Sequence, residues 1–181
     1  MTSITLCYMA AMVAIGIFPV LLIYGAWSDL RRFQLSNRLN LWIAGLYYVA
    51  APAAGLPLET MAFSSGTAVA VLCLGFGAFA IGVIGAGDIK FAAAIALWIG
   101  PGLIGQFLLL SAVLGGLLAL IFLIKMQVNR YRMHKKSISA CDEIMKPIRL
   151  PYGVAIAIAG IFLFGTSGWA VRLNCVAPFV V

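Results

Sequence analysis

An all-α integral membrane protein of about six transmembrane helices is predicted by three observations. Composition comes first: 64% of the residues are apolar, 9% are charged and the mean hydropathy is +1.11, so the solvent for this chain is largely lipid. Second, apolar runs recur along it, punctuated by Gly, Pro and charge. Third, at roughly 20 residues per span, 181 residues leave room for about six helices and their loops in a single polytopic domain, 1–181.

Taken in order, the first run extends from Ile4 to Trp27 and stops at a charged segment that includes Asp29, Arg31 and Arg32. No Lys or Arg precedes Arg31, whereas a secretory signal needs a basic start, so this helix is expected to be retained. The second run is Leu39 to Ala54, and the third is Met61 to Ile84. The fourth, Ile89 to Ile99, is cut short by Gly100-Pro101-Gly102, which makes it a candidate for tilt, local bilayer thinning or partial insertion. The fifth spans Leu103 to Ile124, where basic residues begin, and the sixth spans Tyr152 to Trp169.

Charge orients these spans. Of twelve Lys and Arg, three lie between Arg31 and Arg38, one is Lys90, seven fall between Lys125 and Arg149, and only Arg172 lies elsewhere. Two spans separate the first basic segment from the second, and two more separate the second from the third. The positive-inside tendency therefore makes all three cytoplasmic and both termini external. The basic loop of about 125–150 is read as a determinant of topology that meets anionic headgroups of the bilayer. The net charge of +7 needs no nucleic acid. Cys7, Cys73, Cys141 and Cys175 are far apart and form no CxxC, and the lone His134 sits among basic residues, so neither a metal centre nor any other cofactor is expected.

Five acidic residues remain to be explained: Asp29, Glu59, Asp88, Asp142 and Glu143. Glu59 belongs to an outer turn and Asp142 and Glu143 to the basic loop, where water solvates them. Asp29 follows the first span near a helix C-terminus, where the dipole disfavours negative charge; pairing with Arg31, Arg32 or Arg38 would be its bland explanation. Asp88 precedes the fourth span, where capping of exposed amides would be the bland explanation. Lys90 reads as a snorkelling interface anchor that also lends positive potential nearby. Gly85 and Gly87 offer a sharp turn and close backbone approach to Asp88, or else plain helix packing.

The joint pattern is more specific than either acid. Topology alone brings Asp29 and Asp88, 59 positions apart, to one cytoplasmic level, and ionisable groups near a membrane core are functional suspects. Two such carboxylates share one proton over a wide pH range. The ionised member can take a proton from an attacking water while the protonated member donates to a scissile carbonyl oxygen.

The segment Gly85-Ala86-Gly87-Asp88-Ile89-Lys90-Phe91-Ala92-Ala93-Ala94 resembles the GxGDxKxxAA signature of type IV prepilin peptidases, aspartic membrane proteases that mature pilin-like subunits. Asp29 to Leu39 is similar to that family's first aspartate segment, with Leu35-Ser36-Asn37 where Ile-Pro-Asn is usual. Pro151-Tyr152-Gly153-Val154-Ala155 resembles a further segment that opens the last helix. The resemblance implies a six-helix protease of the bacterial inner membrane with Asp29 and Asp88 as the catalytic pair. Gly85, Gly87, Lys90 and Asn37 would shape the site, and no metal would take part. Its partners would be prepilin and pseudopilin precursors, cut at the cytoplasmic face, usually after Gly and before an apolar helix. The paired CxxC motifs of the larger methylating members are not found here, so N-methylation is not expected; the short form resembles the peptidases of Flp or tight-adherence pili. Three alternatives stand beside this: a presenilin-like intramembrane protease, which also carries GxGD, a proton-coupled transporter component with paired carboxylates, and a non-enzymatic scaffold of pilus assembly.

Overall fold

A computed structural model describes residues 2–82, 84–134 and 150–169, with side chains described over 9–82, 84–128 and 150–169. Six helices make up these residues: α1 (Thr2–Arg32), α2 (Asn37–Ala53), α3 (Leu58–Ala80), α4 (Ala86–Ile99), α5 (Ile104–His134) and α6 (Tyr152–Thr166). Three stretches, Met9–Arg32, Leu58–Ala80 and Ile104–Val128, are long and apolar enough to cross a membrane. The other three helices, of 17, 14 and 15 residues, rise roughly 21 to 26 Å at 1.5 Å per residue, less than the ~30 Å of an average hydrocarbon core.

Their shortness has a packing counterpart. α4 lies at the centre of the bundle, against α2, α3 and α6 and touching α5 only slightly; α1 packs on α2 and α6, and α5 on α6. Nine of the 14 residues of α4 are buried, whereas α3 buries only Ser64 and Val71. The short fourth helix is therefore the core of the fold and not a peripheral one. Hydropathy cannot make that distinction, because the lipid outside is as apolar as the protein inside.

Small residues let the helices close on α4. A Cβ at Gly25 would lie 2.8 Å from the ring of Phe91, one at Gly160 would lie 3.0 Å from Ile95, and one at Gly75 would collide with Ile89. At the far end of α4, Phe18 stacks on Trp98 at 4.4 Å. The indole N–H of Trp98 donates to the Ile43 carbonyl at 3.0 Å, and that of Trp169 donates to the Trp98 carbonyl at 2.7 Å. Both buried indoles are thus satisfied, and the aromatic cluster locks the end of the bundle remote from Asp88.

Helix boundaries move from the sequence-based ones for local reasons. α1 runs on through Arg32, so Asp29 sits inside its last turn. Ser36 caps α2, its Oγ accepting the Leu39 N–H at 3.2 Å, a contact worth ~1 kcal/mol. The sharp turn expected at Gly85 and Gly87 occurs instead at Gly82, with φ +75°, while Gly85 has an ordinary extended backbone. α5 continues to His134, because Lys and Arg end an apolar run without ending a helix; residues 125–134 of the expected basic loop are helical. The rest of that loop, with Cys141, Asp142 and Glu143, lies outside the described residues, as do Arg172, Cys175 and both chain ends.

Candidate active site

Asp29 is 5% exposed and continues the inward face of α1 that carries Phe18 and Leu22, four and seven residues being the spacing of one helix face. A carboxylate there, at the C-terminus of its own helix, needs compensation from elsewhere. α6 supplies it: the Gly153 N–H, in the first turn of that helix, donates to Asp29 Oδ2 at 2.8 Å. Such N-terminal amides have no partner within their own helix and favour anions. No cation contributes to the environment of either aspartate among the described residues, so pairing with Arg31, Arg32 or Arg38 does not account for Asp29. The Arg31 guanidinium instead lies 4.2 Å from the centre of the Trp27 ring.

Asp88 stands in the first turn of α4. The N-cap is Gly85, and no side chain caps this helix, so capping does not account for Asp88 either. Burial, and after it the negative charge of Asp29, pushes the Asp88 carboxyl up to about 7. A Cβ at Gly85 would lie 2.9 Å from Asp88 Oδ2; the role of this glycine is to leave room for the carboxylate.

Both acids line one cleft of about 490 Å³, together with Gly85, Gly87, Leu35 and Tyr152. Leu35 bridges the two helix starts: its Cβ lies 3.5 Å from where a Gly87 Cβ would be, and its Cδ1 3.0 Å from where a Gly153 Cβ would be. The remaining two predicted site residues sit beside this cleft and not in its lining. Lys90 Nζ donates to Asn37 Oδ1 at 3.1 Å, tying the first turn of α4 to the first turn of α2. Lys90→Ala is expected to slow turnover by about tenfold without abolishing it, as loss of one charge-assisted hydrogen bond that steadies Asp88. Initial rates of precursor cleavage in membranes check this, and complete loss would place the ammonium in the chemistry itself.

Gly153, Tyr152 and Leu35 are the members of the site that the acids did not point to. A glycine in the first turn of an apolar helix is a signal for Gly153, since helix propensity disfavours it unless something needs the space. Here a Cβ would stand 2.8 Å from Asp29 Oδ2. The assembled arrangement offers two carboxylates, one of them protonated near neutral pH, around a cleft with glycine on one side. It can activate water against a peptide carbonyl without a side-chain nucleophile.

A profile of the Type IV leader peptidase family matches residues 16–120, more than half of the 181 residues and inclusive of both aspartates. No curated protein and no solved structure matches the chain.

Proposed function

The chain belongs to the type IV leader peptidase family, aspartic-type peptidases that remove prepilin leaders, and from this premise we propose that Asp29 and Asp88 are its catalytic pair. The observation that carries the assignment is their common cleft, reached from two helices of opposite direction. In this reading Asp29, bonded to the Gly153 amide, holds the negative charge and takes a proton from the attacking water. Asp88 holds the shared proton and donates it toward the scissile carbonyl oxygen. Collapse of the tetrahedral species then breaks the C–N bond. The proton taken up by Asp29 passes to the leaving amine while one hydroxyl of the intermediate returns its proton to Asp88, which restores the singly protonated pair.

The site opens at the end of the bundle where α1 ends and α2, α4 and α6 begin. Arg31, Arg32, Arg38 and Lys90 gather there, and α5 runs beyond Tyr152 at the same end. Basic residues favour the cytoplasmic side, which supports cleavage at the cytoplasmic face with both termini external. We assign the substrates to the Flp-type subclass because of the Pro151-Tyr152-Gly153 segment, and the expected product is a trimmed pilin.

Co-expression with candidate pilin precursors, followed by mass measurement of their N-termini, tests the whole reading. One precursor shortened to a single new N-terminus is the expected result. Failure to trim any precursor presented by a protein that accumulates in the membrane would overturn it.

The pH dependence follows from Asp88. With its carboxyl at about 7, kcat should fall as pH rises through that value and the donor proton is lost. The sign for stability is the same: the folded state binds this proton more tightly than the unfolded chain, whose ordinary value is 3.8. Stability from this group therefore declines between about pH 4 and about pH 7 and is level above. Rates and thermal midpoints in detergent across pH 4 to 9 check both, on the order of one unit in position.

A further inference from the structure

α1 ends in a conformation that its sequence does not favour. The N–H of Phe33 donates to the Asp29 carbonyl at 2.9 Å, and Phe33 itself has φ +50°, the only positive φ outside glycine among the described residues. A left-handed residue just past the last turn is a common way for a helix to stop, and glycine usually occupies it because a Cβ there crowds the backbone. A bulky aromatic at such a place is strained. The linker that follows is held from several directions. Ser28 Oγ donates to the Gln34 carbonyl at 3.1 Å, Leu35 is wedged between the first turns of α4 and α6, and Ser36 caps α2. Backbone strain that the surroundings keep in place is a mark of functional positions. Glycine at 33 would be free of it, so the phenyl side chain is what the strain secures.

That side chain lines the cleft of Asp29 and Asp88 and is 41% exposed, so it stands where the cleft meets solvent. Resting on the catalytic pair proposed above, we propose that Phe33 is a positioning residue of the reaction: its ring screens the two aspartates from bulk water, and the left-handed backbone at 33 keeps the ring turned to the cleft. Burial is the main reason that the Asp88 carboxyl is held at about 7, with the charge of Asp29 second. At an open cleft such burial comes from the large apolar groups around it, and Phe33 is the largest purely apolar side chain in the lining. The ionisable neighbours do not supply it. α1 contributes Asp29 itself, with Arg31 drawn off to Trp27 and Arg32 outside the lining; α2 contributes Arg38, also outside it; α6 contributes Tyr152. Lys90 of α4 is bonded to Asn37, and the last turns of α3 carry no ionisable group. Among the described residues only burial and Asp29 bear on Asp88, so removal of the ring acts on it through water alone.

The test assays precursor cleavage by full-length protein in membranes from pH 5 to pH 9, with Phe33→Leu, Phe33→Ala and Phe33→Gly beside the parent. Loss of the ring admits water, and the alkaline limb of kcat should move down by roughly half to one unit in Phe33→Ala and Phe33→Gly. This reads as a loss of about three- to tenfold at pH 8 with little change at pH 5. Phe33→Leu, which keeps an apolar side chain, should retain most of the parent's profile. Phe33→Gly should melt at least about 2 °C above Phe33→Ala, because glycine accepts φ +50° without crowding; that pair separates the backbone from the ring. A limb that stays in place in both ring-less variants, or a loss of equal size at every pH, would overturn the screen, and equal melting of Phe33→Ala and Phe33→Gly would overturn the part given to strain. If Phe33→Ala does not accumulate, the limb of Phe33→Gly decides. The catalytic assignment fails separately, by continued cleavage in Asp29→Asn and Asp88→Asn.

Discussion

Asp88→Asn and Asp29→Asn are each expected to lower prepilin cleavage by at least about 10³-fold in protein that still accumulates in the membrane. The substitutions keep shape and remove only the capacity to hold or give the shared proton. At Asp29 the amide oxygen of Asn can still accept the Gly153 N–H that now goes to Oδ2 at 2.8 Å, so the junction of α1 and α6 has its hydrogen bond in the variant. At Asp88 the argument goes further. A carboxyl held at about 7 is ionised above neutrality at the expense of the fold, and a neutral amide avoids that cost. Asp88→Asn should therefore be at least as stable as the parent above pH 7, with the difference disappearing below about pH 4. Immunoblots of membranes, N-terminal masses of the pilin and thermal midpoints at two pH values separate inactivity from misfolding. Normal processing in both variants would remove the dyad from the mechanism, and loss of accumulation at Asp88→Asn would contradict the pH argument.

The legibility of these two residues has a physical origin. In a chain with five acids, each carboxylate near an apolar run requires an explanation, and the alternation of basic segments and spans brought Asp29 and Asp88 to one level without coordinates. The bland explanations also could be stated in advance, an ion pair for Asp29 and a cap for Asp88, and the packing supplies neither. The central place of α4 was not legible, because periodicity reports a polar face and a lipid-bathed bundle has little polar face to report. Exposed Leu41, Trp42 and Leu74 are as apolar as buried Ile95 and Leu97. The extension of α5 through His134 was hidden for the opposite reason, since charge marks where an apolar run stops and says little about where a helix does. The glycines were half legible. Their presence at 85 and 87 was a signal of close approach, but the turn lies at Gly82, and only contacts 124 positions apart join Gly153 to Asp29.

Gly153→Ala is expected to have the other large effect, and three contributions decide its sign. Helix propensity favours the change by at most ~1 kcal/mol, and less in a first turn. Against this, the new methyl would stand 2.8 Å from Asp29 Oδ2, 3.1 Å from its Cγ and 3.0 Å from Leu35 Cδ1. Overpacking of that kind costs ~1–3 kcal/mol, and moving the carboxylate away weakens a hydrogen bond to a charged group worth ~1.5–3 kcal/mol. Net destabilisation of about 1–4 kcal/mol follows from these two losses set against the small gain. Displacement of Asp29 by about 1 Å should reduce cleavage on the order of 10²-fold. Gly116→Ala is the comparison, since a Cβ there meets nothing within 4 Å, and it should be neutral or slightly stabilising with cleavage intact. Leu35→Ala gives the carboxylate and the methyl space to part, so the double variant Gly153→Ala with Leu35→Ala should recover more activity than the two single losses together allow. A double-mutant cycle on initial rates measures that coupling. Strict additivity, or a Gly153→Ala enzyme as fast as the parent, would show that the first turn of α6 does not hold Asp29 in place for the reaction.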